Sequence, residues 1–275
     1  MDSIAVIILN YITWQETLKE AAAVRAVLGE VPAEIIVVDN ASPNDSADQL
    51  RKAADGNFTF LESGRNGGYA AGNNVGLRYA AQKGHTYCWI LNNDVEFSDP
   101  AVLEKMLEVF RQDPQIAAVS PDIYSPEGYL FNRDAKPWTV WDLSLGMLSY
   151  RNRGRAEEEA KKGWLYVYRP QGCCMLLRTA YLAAVDFLDE ATFLYCEEPI
   201  LAERLLAKGC RCACCSATGV IHNHGTTVKK ALQKRGFIQN NMKSFRHYLK
   251  AYRKFSVFTR LWCELFYKLK LLLLD

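Results

Sequence analysis

Short, almost wholly apolar runs alternate along this chain with longer stretches of helical periodicity. The runs are IAVIIL (residues 4–9), EIIVV (34–38), FTFL (58–61), CWIL (88–91), IAAV (116–119) and GCCMLL (172–177). Four to six apolar residues in a row, with little polar alternation, fit strands covered on both faces, as in a parallel sheet between two helical layers. The first intervening helix has Thr13 as candidate N-cap, Glu16 three residues on, and an apolar stripe through Leu18, Ala22 and Leu28. Further helices are expected over 45–54, from a glycine-rich turn to about Lys83, and over 100–112, where Val102, Leu103, Met106, Val109 and Phe110 share a face. Strand, helix and strand within the first 38 residues make a βαβ unit, so the fold opens as a doubly wound α/β sheet.

The apolar runs end abruptly on polar groups: Asn10-Tyr11, Asp39-Asn40, and Asn92-Asn93-Asp94. Ligands of open α/β sheets sit beyond the carboxyl ends of the strands, and a carboxylate there can hold a divalent cation against a phosphate. Taken alone, LNND is as readily an Asn/Asp turn. The turn RNGGYAAGNNVG (65–76) adds three glycines that allow close backbone approach, and a helix opening at it offers free N–H groups to phosphates. It matches neither G-x-G-x-x-G nor G-x-x-x-x-G-K. Farther on, FLYCEEPIL (193–201) places Glu197 and Glu198 before Pro199 at the positive end of a helix. Such a carboxylate can act as a general base, or simply complement the helix dipole. Cys210, Cys212, Cys214 and Cys215 alternate toward IHNH (221–224). That spacing suits one face of a strand better than a zinc site, while His222 or His224 could add an imidazole to a metal.

Composition narrows the picture. With 275 residues, 49% of them hydrophobic, the chain is one large domain or a domain with an appendage. Nine cysteines without a basic, signal-like start suggest a reducing compartment, and no stretch of about 18 apolar residues predicts a spanning helix. The net charge of +2 hides a split: residues 228–275 carry twelve Lys/Arg against two acids, whereas residues 1–227 carry 21 basic and 29 acidic groups. In the basic tail, aromatic and aliphatic residues recur at helical spacing from Phe237 to Leu272. That pattern suits helices on an anionic membrane surface, or a helical pair that dimerises or packs on the domain; nucleic acid is not expected, because the larger part is acidic. Residues 124–162 lose periodicity and read as a variable insertion shaping an acceptor site.

The ordered set IILNY, VVDNAS, RNGGYAAGNNVG, LNNDV, YCEEPILAERLLAKG and GVIHNHG resembles inverting, family-2 glycosyltransferases of the GT-A fold, closest to rhamnosyltransferase-like enzymes of polysaccharide assembly. The resemblance covers residues 4 to about 227 and leaves the tail outside. It implies a GT-A domain over 1–227, with a mostly parallel twisted sheet flanked by helices; the basic amphipathic helical tail over 228–275 is read from its own charge and periodicity. It implies that Asp39 pairs with the donor's nucleobase, with Leu9, Asn10 and Tyr11 beside it. Asn66, Gly67, Asn74, Asn92 and Asn93 would line the nucleotide-sugar pocket. Asp94 stands where the last acid of a D-x-D motif coordinates Mg²⁺ or Mn²⁺ on the diphosphate, with His222 as further ligand; Asn92 replaces the first acid. Glu198, with Glu197 beside it, aligns with the base that deprotonates the acceptor hydroxyl, and Ile200 replaces a further acid that many relatives carry. The implied partners are a dTDP- or UDP-sugar donor and a saccharide or lipid-linked acceptor; the basic tail would hold the enzyme peripherally on the cytoplasmic face of the cell membrane, or pair two copies as a homodimer. A nucleotidyltransferase would need a basic triphosphate loop near the start, where residues 9–20 offer only Lys19. A non-catalytic binding homologue would follow if the changes at 92 and 200 disable the site.

Overall fold

The computed structural model describes residues 3–148, 162–223 and 234–273. His224 and almost all of the charge run at 151–162 lie outside them. The first half builds β1 (Ile4–Asn10), α1 (Trp14–Leu28), β2 (Ala33–Asp39), α2 (Ser46–Ala53), β3 (Thr59–Glu62), α3 (Gly68–Gln82) and β4 (Tyr87–Leu91). These strands lie parallel in the order β3-β2-β1-β4. Their runs are continuous because both faces are covered. Val6, Ile8 and Trp89 pack toward Val24 of α1 and Leu50 of α2, while Ala5, Ile7 and Ile90 pack toward Leu77 and Ala80 of α3.

Beyond β4 come β5 (Val95–Phe97), α4 (Val102–Gln112), β6 (Ile116–Tyr124), β7 (Leu165–Val167), β8 (Cys174–Arg178), α5 (Thr179–Ala184), α6 (Glu197–Leu206) and β9 (Arg211–His222). The sheet continues β4-β8-β6-β9-β5, with β7 also on β9. Here direction changes: β8 is antiparallel to both β4 and β6, β6 and β9 are parallel, and β5 and β7 run against β9. Antiparallel β8 brings its start, not its end, level with the carboxyl edge of β4, since Leu91 pairs with Cys174. The alternating Cys210, Cys212 and Cys214 lie on one side of the sheet, as expected, while Cys215, next to Cys214, points to the other. Cys212 and Cys214 face the α3/α6 side and Cys215 the α4 side, because β9 is buried on both faces. All nine cysteines are free.

Two further helices, α7 (Lys234–His247) and α8 (Val257–Leu273), are joined through a π-helical turn at Tyr248–Tyr252. They share a third core with Leu143 and with Ile200 of α6, to which Phe245, Tyr248, Leu249 and Cys263 contribute. Tyr248 is fully buried, its hydroxyl 2.8 Å from that of Tyr168 and 3.0 Å from Arg253 Nη1. The tail's apolar residues thus divide. Those up to Phe255 turn largely inward, whereas Phe258, Leu261, Trp262, Leu265, Leu269 and Leu272 remain exposed along α8.

Candidate active site

The register sets Asn10 beside Asp39, Asp39 beside Glu62, and Ile8 beside Leu91, so the polar strand ends share one edge. The Asp39 carboxylate is buried there and accepts three hydrogen bonds: from Asn10 Nδ2 (2.7 Å), Ser42 Oγ (2.7 Å) and Ser42 N (2.9 Å). Such charge-assisted donors fix its orientation. Ile12 and Ala41 adopt positive φ (59° and 53°), turning the chain sharply out of β1 and β2 and bringing Ile12 N within 2.9 Å of Ser42 Oγ. Leu9 and Tyr11 are half-buried beside this cradle. Gly72 of α3 packs so closely on Leu9 that an added Cβ would stand 2.6 Å from its Cδ1. Gly67 precedes α3, and Asn66 Oδ1 accepts from Gly68 N (3.1 Å) and Asn40 Nδ2 (3.2 Å), tying the start of α3 to the end of β2.

Two of the expected pocket amides are committed to the walls. Asn74 is fully buried, accepting from Leu188 N (3.0 Å) and donating to Leu188 O and Glu190 Oε1 (both 2.9 Å). Asn93 donates to Thr13 Oγ1 (2.9 Å) and Thr17 Oγ1 (2.8 Å). Asn92 instead directs Nδ2 to within 3.5 Å of His222 Nε2.

Pairing of β5 with β9 sets Val95 opposite His222 and so brings that histidine to Asp94, 128 residues earlier in the chain. Its Nε2 lies 3.0 Å from Asp94 Oδ1, and this buried oxygen accepts no hydrogen bond of proper geometry. A carboxylate oxygen and an imidazole nitrogen converging in this way fit a divalent cation. Among the described residues no group of three or more His, Cys, Asp or Glu gathers to hold a metal. Two protein ligands suit Mg²⁺ or Mn²⁺, which fill their remaining positions with phosphate and water oxygens. Beneath them lies Glu20 of α1, 4% exposed, with Oε1 lacking a hydrogen bond. Burial, and then the charge of Asp94, push its carboxyl up to about 8. The only trace of Glu20 in the sequence is an acid on the apolar face that holds Thr17, Ala21 and Val24.

On the other side of the edge, Tyr195 and Cys196 take φ of 72° and 69° before α6 begins. Two successive non-glycine residues in the left-handed region cost on the order of 1–3 kcal/mol each. Glu197 points inward and is buried. Desolvation, then the neighbouring Glu198, push it up to about 8, so it holds its proton at neutral pH. Glu198 is half-buried, and its Oε1 accepts from Gly172 N at 3.2 Å. The next residue, Cys173, joins the two halves of the site: its carbonyl accepts from Asn92 N (2.9 Å), and both Asp94 and Glu198 raise its thiol further after burial has done so. The Asp94–His222 pair and Glu198 therefore flank the head of β8.

The parallel half and its mixed continuation, covered by helices on both faces, have the architecture of the GT-A fold. Residues 3–183 match the family described as glycosyl transferase family 2, and the chain belongs to it. Among its relatives is the low-salt glycan biosynthesis hexosyltransferase Agl10 of Haloferax volcanii, 26% identical over 224 residues, covering 81% of this chain and 68% of that one. Another is the N-acetylglucosaminyl-diphospho-decaprenol L-rhamnosyltransferase of Mycobacterium tuberculosis, 24% identical over 70% of this chain and 67% of its own. The fold is shared with a mannosyltransferase from Pyrobaculum calidifontis solved with GDP-Man and Mn²⁺ (TM-score 0.61, 16% identity, 96% of this chain and 69% of that one). It is also shared with GalNAc-T7 solved with UDP, GalNAc and Mn²⁺ (TM-score 0.63, 13% identity, 91% and 48%).

Proposed function

We propose that this glycosyltransferase moves a sugar, with inversion, from a nucleotide-diphosphate donor of the dTDP-rhamnose or UDP-hexose type to a saccharide or lipid-linked saccharide, in surface polysaccharide synthesis. The observation that carries the reading is the opposition of Glu198 to Asp94 and His222 across the head of β8. Asp39 holds the nucleobase and the start of α3 faces the diphosphate. Asp94 and His222 would hold Mg²⁺ or Mn²⁺, whose positive charge would stabilise a leaving diphosphate. Glu198 takes the proton of the acceptor hydroxyl; the acceptor oxygen bonds to the anomeric carbon as the carbon–phosphate-oxygen bond breaks, and the diphosphate departs with the electron pair. One displacement from the face opposite the leaving group inverts the centre. Glu197, already protonated at neutral pH, is the poorer candidate for base.

The curated relatives include a rhamnosyltransferase named for a lipid-linked substrate, which supports a lipid-linked acceptor here. Among the described residues no helix is long and apolar enough to cross a membrane. We assign the contact with the cytoplasmic membrane face to α8 and its basic surroundings. Nucleoside diphosphate release, screened across dTDP- and UDP-sugars with Mn²⁺, tests the function. Release from none of them, with or without saccharide acceptors, would overturn it.

A further inference from the structure

We propose that Tyr69 is a positioning residue for Glu198, acting through the Gly172 backbone. Glu198 is the base in the reading above, and the inference rests on that reading for its catalytic meaning. Tyr69 is the second residue of α3, on the donor side of the cleft. Its hydroxyl donates to Gly172 O at 2.6 Å, and the same glycine's N–H donates to Glu198 Oε1 at 3.2 Å. Tyr69 also grips the loop that leads into α6 and the base: its backbone N–H donates to Phe193 O at 2.9 Å, just before the two left-handed residues Tyr195 and Cys196.

The space around Gly172 gives an independent argument. A Cβ built there would stand 3.0 Å from both Tyr69 Oη and Glu198 Oε1, so the bare backbone is what lets the two side chains close on the same residue. The peptide is clamped on its remaining sides as well, Gln171 N donating to Ser120 Oγ (2.8 Å) and Cys173 O accepting from Asn92 N (2.9 Å). Gly172 thus has little freedom except what Tyr69 allows it. Loss of the hydroxyl frees the peptide, weakens its hydrogen bond to Glu198, and lets the carboxylate leave the orientation it needs.

The test is nuclear magnetic resonance of protein labelled at the glutamate carboxyl carbons, with the Glu198 signal assigned by its loss in Glu198→Gln. Titratable groups facing Glu198 are Glu197, Tyr195 and Cys196 on its own segment, Tyr69 on α3 and Cys173 at the head of β8. A hydrogen bond to the charged carboxylate favours that form, so its loss raises the titration midpoint. In Tyr69→Phe and in Gly172→Ala the Glu198 midpoint should rise by roughly half to one pH unit. With the donor that releases nucleoside diphosphate fastest in the dTDP- and UDP-sugar screen, kcat should fall by about tenfold or more and donor KM stay within about twofold. A Glu198 midpoint unchanged in Tyr69→Phe overturns the positioning role. A shifted midpoint combined with a near-normal rate in Glu198→Gln supports the positioning and overturns the reading of Glu198 as base.

Discussion

Three acids near the cleft differ in what their surroundings make of them. Glu198 keeps a hydrogen-bond donor on its carboxylate, whereas Glu197 and Glu20 are stripped of water and pushed up to about 8. Glu198→Gln keeps the shape and the Gly172 contact but removes the basic oxygen, so turnover should fall by about 10²–10⁴ with donor affinity nearly unchanged, measured by steady-state kinetics and calorimetry. Asp94→Asn should abolish Mn²⁺ binding near neutral pH, read directly by electron paramagnetic resonance, because the remaining imidazole and amides carry no negative charge. The buried acids also set a pH dependence of stability. An unfolded glutamate loses its proton near 4.5, while folded Glu20 keeps it to about 8. Within that window the native chain binds the extra proton, so this stability is complete below 4.5 and lost as pH rises through 8. Glu20→Gln should therefore match the parent protein at low pH in urea unfolding and exceed it at pH 8.5 by about 4 kcal/mol. Equal stability at pH 8.5 would refute the raised carboxyl.

At the scale of elements, the decisive contact is between the start of α3 and the loop before α6. Gly68 has φ of +84°, and a Cβ there would come 1.9 Å from Phe193 O, so Gly68→Ala must push the two apart. Strain of this kind costs on the order of 1–3 kcal/mol, and the denaturation midpoint should fall accordingly while nucleotide-sugar affinity drops with it. The parallel half was legible in the sequence because its strands are covered on both faces, and the polar residues Asn10, Asp39 and Asn92 that cut off the apolar runs stand at or just beyond the strand ends. The direction of β8 was not. A doubly buried strand has the same composition whichever way it runs, and GCCMLL carries no sign of being antiparallel. β5 and β7, of three residues each, are too short for any period to register. The Asp94–His222 meeting depends on the β5–β9 register, and the Tyr69–Gly172 bond spans 103 positions, so neither leaves a local pattern. Asn74 within α3 and Asn93 just beyond β4 both belong to polar stretches of the sequence, but their side chains bond to Leu188, Glu190, Thr13 and Thr17, partners that no local pattern announces.

The molecule as a whole is electrically lopsided, acidic through residue 227 and basic beyond it, and the fold turns that asymmetry into a surface. Ser244 Oγ donates to Leu194 O (2.8 Å) and Tyr195 stands edge-on to Phe237 at 5.5 Å, so α7 is fastened to the loop that leads into α6 and Glu198. α8 lies outside it, with Cys263 and Leu271 turned inward and a row of apolar residues turned out, led by Phe258 at 86% exposure. At 100° per residue, Phe258, Leu261, Trp262, Leu265, Leu269 and Leu272 occupy one stripe, with Lys268 falling on its border. Lysines bordering an apolar stripe can extend to lipid headgroups while the stripe enters the boundary of the acyl chains. Each basic group near an anionic surface adds about 1 kcal/mol, weakened by salt. Binding to phosphatidylglycerol-rich vesicles should therefore be strong at low salt and weaker at high salt, and Leu261→Asp with Leu265→Asp should abolish it in a sedimentation assay. Both side chains already face outward, so the double variant should keep the parent's unfolding midpoint and its activity on a water-soluble acceptor. If instead the parent protein ignores such vesicles and sediments as a dimer that the two aspartates dissociate, the stripe serves a second copy of the chain and the membrane assignment fails.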